Sequence, residues 1–138
     1  MVIVAKTSVL AVGAADKAEA LKELPIRLIC LAKGKEAASS LKNEKYHSVV
    51  SHWNLVDMPN GSFLKGLRKV RPQLPTIAIV EANNPDQEIQ ARSLGVSAVI
   101  TDDCSEDHFR DIICELLGLS QSDLLQELYA VNDVSDGR

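Results

Sequence analysis

With 138 residues, 46% of them hydrophobic and 25% charged, the chain can build one core and one domain, and is too short for two domains of usual size. Nineteen acids against fifteen bases give a net charge of −4, which argues against nucleic acid or an anionic membrane as the main partner. No apolar run approaches the ~20 residues that span a bilayer, Met1–Lys6 does not open a secretory signal, and three cysteines (Cys30, Cys104, Cys114) at no metal-binding spacing fit free thiols. The expectation is a cytosolic single domain without a cofactor.

Short β-branched runs alternate with amphipathic stretches. Ser8–Val12 reads as a strand and Ala14–Leu24 as a helix that Pro25 stops. Ile26–Ala32 is a second strand, Glu36–Asn43 a second helix and Ser48–Ser51 a third strand. A polar loop with Asn54, Asp57, Pro59, Asn60 and Gly61 follows. Phe63, Leu64, Leu67 and Val70 recur at helical spacing, with Pro72 and Pro75 beyond them.

Thr76–Val80 is continuously apolar, as a strand buried on both faces requires. Pro85 suits the first turn of a helix over Asp86–Leu94, and Gly95 suits its end. Ala98–Ile100 is the fifth strand. Asp103 or Ser105 can cap the helix carrying Phe109, Ile112, Ile113, Leu116 and Leu117. Strands alternating with helices imply a parallel sheet covered on both faces, so an α/β, three-layer, flavodoxin-like sandwich with strand order 2-1-3-4-5 is expected. Beyond Gly118, Ser120–Asp123 resembles a capping box before Leu124, Leu125, Leu128 and Val131. The chain thus divides into a core over 1–118 and a helical extension with a polar tail over 119–138.

In such a sheet ligands gather beyond the carboxyl ends of the strands, here Gly13–Asp16, His52–Asn54, Glu81–Asn84 and Asp102–Cys104. Gly13-Ala14 lacks the spaced glycines of a dinucleotide loop, and neither GxxxxGK[ST] nor GxSxG occurs. Trp53 either covers the mouth of this region or anchors a partner at the surface. Cys30 and Cys114 read as core residues, and Cys104 has no cation beside it in sequence to activate its thiol. Arg68, Lys69 and Arg71, with Lys65 a turn earlier, read as a solvated basic face.

From about Thr7 to Leu119 the sequence resembles a response regulator receiver (CheY-like) domain of two-component signalling. The resemblance rests on Tyr46–His52 with Met58-Pro59-Asn60-Gly61, on Leu67-Arg68, on Leu74–Ile79 and on Ala91–Thr101. Receivers take a phosphoryl group on an aspartate ending the third strand, beside a Mg²⁺ held by two acids after the first strand, with a Ser or Thr and a Lys on the phosphoryl oxygens. By this resemblance the phosphoacceptor position is His52, the paired acids fall on Gly13 and Ala14, and the Ser/Thr position falls on Val80 or, one residue on, Glu81. The lysine and the proline after it become Asp102 and Asp103.

Mg²⁺ is a hard cation that prefers oxygen ligands, so losing its carboxylates removes the reason for it to bind. Asp102 in place of lysine repels a dianion. Asp57 or Asp16 would have to stand in for a shifted site. The resemblance therefore implies a degenerate receiver, not an enzyme, that acts through protein contact. His52 is then a neutral, hydrogen-bonded pocket filler, a pH-sensitive partner of Asp102, or a ligand of a metal site with Asp102, Asp103 and Cys104. The first of these is expected, with no metal.

In receivers the fourth helix, fifth strand and fifth helix commonly carry partner contacts. The resemblance points to Gln87, Gln90, Ala91, Leu94, Val99, His108, Asp111 and Ile112, with the C-terminal helix as a second route to a partner or to self-association. Alternatives are a small-molecule or metal sensor using the strand-end pocket and an atypical phosphoacceptor.

Overall fold

The computed structural model describes residues 7–118, so the expected helix beyond Gly118 lies outside the described residues. Five strands, β1 (Thr7–Val12), β2 (Ile26–Leu31), β3 (Ser48–His52), β4 (Thr76–Val80) and β5 (Ala98–Thr101), form one parallel sheet in the order β2-β1-β3-β4-β5. The helices are α1 (Ala15–Ala18), α2 (Gly34–Asn43), α3 (Ser62–Val70), α4 (Pro85–Ser93) and α5 (Glu106–Leu116). This is the α/β three-layer architecture expected from the alternation of elements.

Alternating residues of each buried strand feed two cores, because successive side chains point to opposite faces. Val9, Ala11, Val50, Ile77 and Ile79 meet Ala20, Leu21, Phe109 and Ile113 on the α1/α5 face. Leu10, Val12, Val49, Ala78 and Val80 meet Ala37, Leu41, Phe63, Leu64, Leu67 and Ala91 on the α2/α3/α4 face. At the amino end of the sheet the Ser8 amide donates to His47 Nδ1 at 2.9 Å, which fixes the entry into β3. No helix of the described residues is long and apolar enough to cross a membrane.

The first helix departs from expectation. Instead of running over Ala14–Leu24, α1 ends at Ala18 and passes into a 3-10 turn over Glu19–Leu21. Its start is weak because Ala14 has no side-chain acceptor for the first amides, and Pro25 disfavours helix at Leu24. The later helices keep their signals. Pro85 lies in the first turn of α4 behind Asn84, whose side chain accepts from the Gln87 amide. Of the two candidate caps of α5 the structure uses Ser105, which accepts from the His108 amide at 3.1 Å. Cys30 is exposed on the edge strand β2 and is not a core residue, whereas Cys114 is buried.

Candidate functional site

The carboxyl edge of the sheet gathers His52, Glu81 and Asp102 with a side chain from α1 that the sequence did not single out. His52 closes β3, and strand alternation turns it toward the α1/α5 side. Its imidazole is partly buried, and burial pushes its pKa below 6.5; the nearby Asp16, Asp102 and Glu81 carboxylates oppose that shift and the Lys17 ammonium adds to it. Desolvation outweighs the carboxylates, so the ring is neutral at pH 7. Among the described residues His52 makes no side-chain hydrogen bond to Asp102 or an asparagine, and Asp102 does not bring its pKa above 6.5.

Asp102 continues the β4–β5 ladder, its amide donating to Val80 O at 2.8 Å. Its Oδ1 accepts from the Ala82 amide at 3.2 Å, so the carboxylate serves the neighbouring turn. Its carbonyl accepts from Lys17 Nζ at 2.6 Å, a tie from α1 to the end of β5 across 85 residues of sequence. Lys17 is 9% exposed, which makes its ammonium the cation of this edge. Asp103 accepts from the Thr101 hydroxyl at 2.6 Å and turns away into its own loop. Burial pushes the Cys104 thiol pKa up, with Lys17 opposing and Asp103 and Asp102 reinforcing, so the thiol is protonated and inert.

Glu81 stitches two loops together. Its carboxylate accepts from Asn54 Nδ2 at 3.1 Å and from Gln87 Nε2 at 3.0 Å, while its amide donates to Gln87 Oε1 at 2.9 Å. Asn54 Oδ1 accepts from the Asn60 amide at 2.6 Å, which extends the network into the loop before α3. Asp57 is likewise structural: it accepts from the Gly34 and Lys35 amides at 2.8 and 3.0 Å and caps α2 from a distant loop. Those amide bonds, led by that from Lys35, hold its carboxyl below the usual carboxylate range.

The remaining expected site residues disperse. Ala14 and Val80 are core residues, 1% exposed each, on opposite faces of the sheet, because strand-end alternation leaves them under the helices. Gly13 takes a left-handed turn (φ +63°) and donates to Leu31 O; a Cβ there would stand 2.7 Å from Leu55 Cδ2. Among the described residues no three His, Cys, Asp or Glu side chains are grouped to hold a metal ion, so His52, Asp102, Asp103 and Cys104 do not converge. Trp53 is neither lid nor surface anchor: it is 3% exposed and packs in the α2/α3/α4 core with Lys65 Nζ 5.7 Å from its ring centre.

Two members of the expected partner face are also inside. Gln87 is 7% exposed because it serves the Glu81 network, and Ala91 is fully buried on the inner side of α4. Gln90, His108 and Asp111 are exposed, and Leu94, Val99 and Ile112 are half-buried. Ile89 stands 62% exposed on α4. Lys17 was hard to see, since a lysine in the first turn of a helix after a strand reads as solvated.

Comparison with solved structures identifies the architecture. A receiver domain protein from Methanospirillum hungatei JF-1 superposes with a TM-score of 0.71 at 17% identity, covering 86% of this chain and 99% of that one. The signal receiver domain of an HD domain-containing protein from Pseudomonas fluorescens Pf-5 gives 0.73 at 15% identity, covering 82% and 95%. This is the receiver fold. A third receiver, from a Pseudomonas aeruginosa PAO1 sensor histidine kinase, with a magnesium ion coordinated in its active-site cleft, gives 0.69 at 18% identity, covering 83% and 99%. No protein family description and no curated sequence matches the chain. The receiver likeness is thus one of backbone, carried by the strand order, the two cores and the turns between them.

Proposed function

We propose that this receiver-fold chain is a degenerate signalling module that works by contacting another protein, is not phosphorylated at His52 and catalyses no reaction of its own. The observation that carries this reading is the Lys17 ammonium, bonded to the Asp102 carbonyl at 2.6 Å beside a neutral His52. By the sequence resemblance, this edge is where a receiver assembles carboxylates around Mg²⁺ and then a phosphoryl group. Here Gly13 and Ala14 offer no carboxylate, the Asp16, Glu81 and Asp102 carboxylates near His52 do not converge into a group of three among the described residues, and the Lys17 ammonium beside them disfavours a second cation. A hard dication needs several oxygen ligands converging on one point, which these residues do not offer, so Mg²⁺ does not fit.

With the chemistry absent, the kept framework supports a binding role. The exposed Ile89, Gln90, His108 and Asp111, flanked by Leu94, Val99 and Ile112, form a mixed apolar and polar face over α4, β5 and α5. Such a face suits a protein partner, with an apolar anchor inside a polar rim. Heteronuclear NMR of the chain with BeF₃⁻ and Mg²⁺, or with acetyl phosphate and Mg²⁺, tests the reading. The expected spectrum is unchanged; saturable shifts of resonances around His52 overturn it.

A further inference from the structure

We infer that the groove between α2 and α3 receives the C-terminal segment Ser120–Val131 of a second copy of this chain. The inference deepens the protein-contact reading, and rests on it for the kind of partner, but it uses a different face from the strand-end site. The groove encloses about 240 Å³ and is lined almost wholly by apolar surface from Leu41, Met58, Phe63, Gly66 and Val70. Val70 stands 74% exposed at its edge.

Gly66 has no internal reason to be glycine. It lies inside α3, and a Cβ there would meet nothing within 4 Å. Glycine inside a helix costs roughly 1 kcal/mol against alanine, and its use is to let another backbone come close. No packing of the described fold uses that space. A helix laid in the groove would.

Charge selects the kind of helix. Residues 33–71, which span α2 and α3, carry eight lysines and arginines against three acids, within a chain whose net charge is −4. Two of those acids are committed, Glu44 to Arg27 at 2.7 Å and Asp57 to the α2 amides. Lys42 and Arg71 stand on the groove walls, and no acid lines it. Residues 119–138 carry the matching pattern: Leu124, Leu125, Leu128 and Val131 at helical spacing, Asp123 and Glu127 four apart on one flank, and four acids against one arginine.

Reach decides between the chain's own groove and a second copy's. α5 lies on the α1 face of the sheet and the groove on the opposite face. Helix layers on opposite faces of a sheet are about 20 Å apart. Ser120, where the docked segment begins, follows Gly118 by two residues, a reach of at most ~7 Å, which falls well short of that separation. The segment therefore docks on a neighbouring copy, and reciprocal docking closes a two-fold dimer.

Sedimentation of the full chain over a wide concentration range tests this, with Gly66→Arg, which fills the groove, and the double variant Leu124→Asp/Leu128→Asp, which spoils the segment. The native chain is expected to dimerise reversibly, more weakly at high salt, and each variant to weaken the dimer about tenfold or more, while its diluted monomer unfolds at no lower temperature than the diluted native chain. Mixing the two variants is expected to restore association, because one intact groove then meets one intact segment. A native chain that stays monomeric overturns the inference. So does a dimer indifferent to Gly66→Arg, or a mixture that fails to associate. The phosphoryl-analogue NMR reads the strand-end site alone, so either conclusion can fail without the other.

Discussion

Lys17 and Asp102 lie 85 residues apart, and the lysine of α1 donates to the Asp102 carbonyl, one residue past β5, at 2.6 Å. The bond joins the first helix to the last strand across the carboxyl edge, where parallel α/β proteins usually keep a cleft. Lys17→Met keeps the buried stem and removes the bond. A hydrogen bond from a charged donor contributes roughly 1.5–3 kcal/mol, and the exposed Asp102 lets water replace part of it. The expected loss is about 1–2 kcal/mol in urea unfolding. An unchanged midpoint would show the tie to be energetically idle.

His52 gives the fold a predictable pH dependence. Burial lowers its folded pKa below the unfolded value of 6.5, so the unfolded chain binds the proton more readily. The stability held by the neutral ring is complete above pH 6.5 and is lost as pH falls through that value toward the folded pKa. Comparing urea midpoints of the native chain and His52→Gln between about pH 5 and 7.5 isolates this contribution. The variant is expected to lose stability less steeply on acidification. A steeper loss in the variant would mean that the Asp16, Asp102 and Glu81 carboxylates outweigh burial.

The framework was readable because its signals are local. Thr76–Val80 is apolar throughout, Pro85 sits where a helix may begin, and Ser105 presents a hydroxyl just before Phe109, so β4, α4 and α5 fall where their sequences put them. The site was less readable because its bonds are long-range. Nothing near Lys17 shows that its ammonium ends against Asp102, and nothing near Gln87 shows that its amide serves Glu81. Assigning Gln87 to an outer face followed the receiver resemblance; the Glu81 carboxylate and amide draw it inward.

The Glu81 network predicts a cost for losing its buried member. Gln87→Leu fills similar space but leaves the Glu81 amide without its acceptor and removes a donor from the carboxylate. An unpaired polar group costs roughly 1–3 kcal/mol when buried, and the exposure of Glu81 places the expected loss near the lower end. Amide exchange supplies the local readout, with the Glu81 N–H exchanging faster in Gln87→Leu than in the native chain. Equal exchange rates would show that the bond does not protect the loop.

Two glycines of the same region predict opposite outcomes for one substitution. Gly61 precedes α3 in a left-handed conformation (φ +72°), and a Cβ there would stand 2.4 Å from the Trp53 ring. Trp53 cannot yield easily, since it is buried and its carbonyl accepts from the Gly61 amide at 2.9 Å. Gly61→Ala therefore combines roughly 1–2 kcal/mol of backbone strain with roughly 1–3 kcal/mol of overpacking. Gly66 lies five residues on, inside the helix, with open space at its Cβ. In the monomer, at a concentration too low for dimers, Gly66→Ala is expected to raise stability by up to about 1 kcal/mol through reduced freedom of the unfolded chain. Thermal unfolding of the two single variants checks both signs at once. If both substitutions lower the midpoint even at that dilution, the space over Gly66 is filled within the monomer itself, and the groove is not open to a second copy.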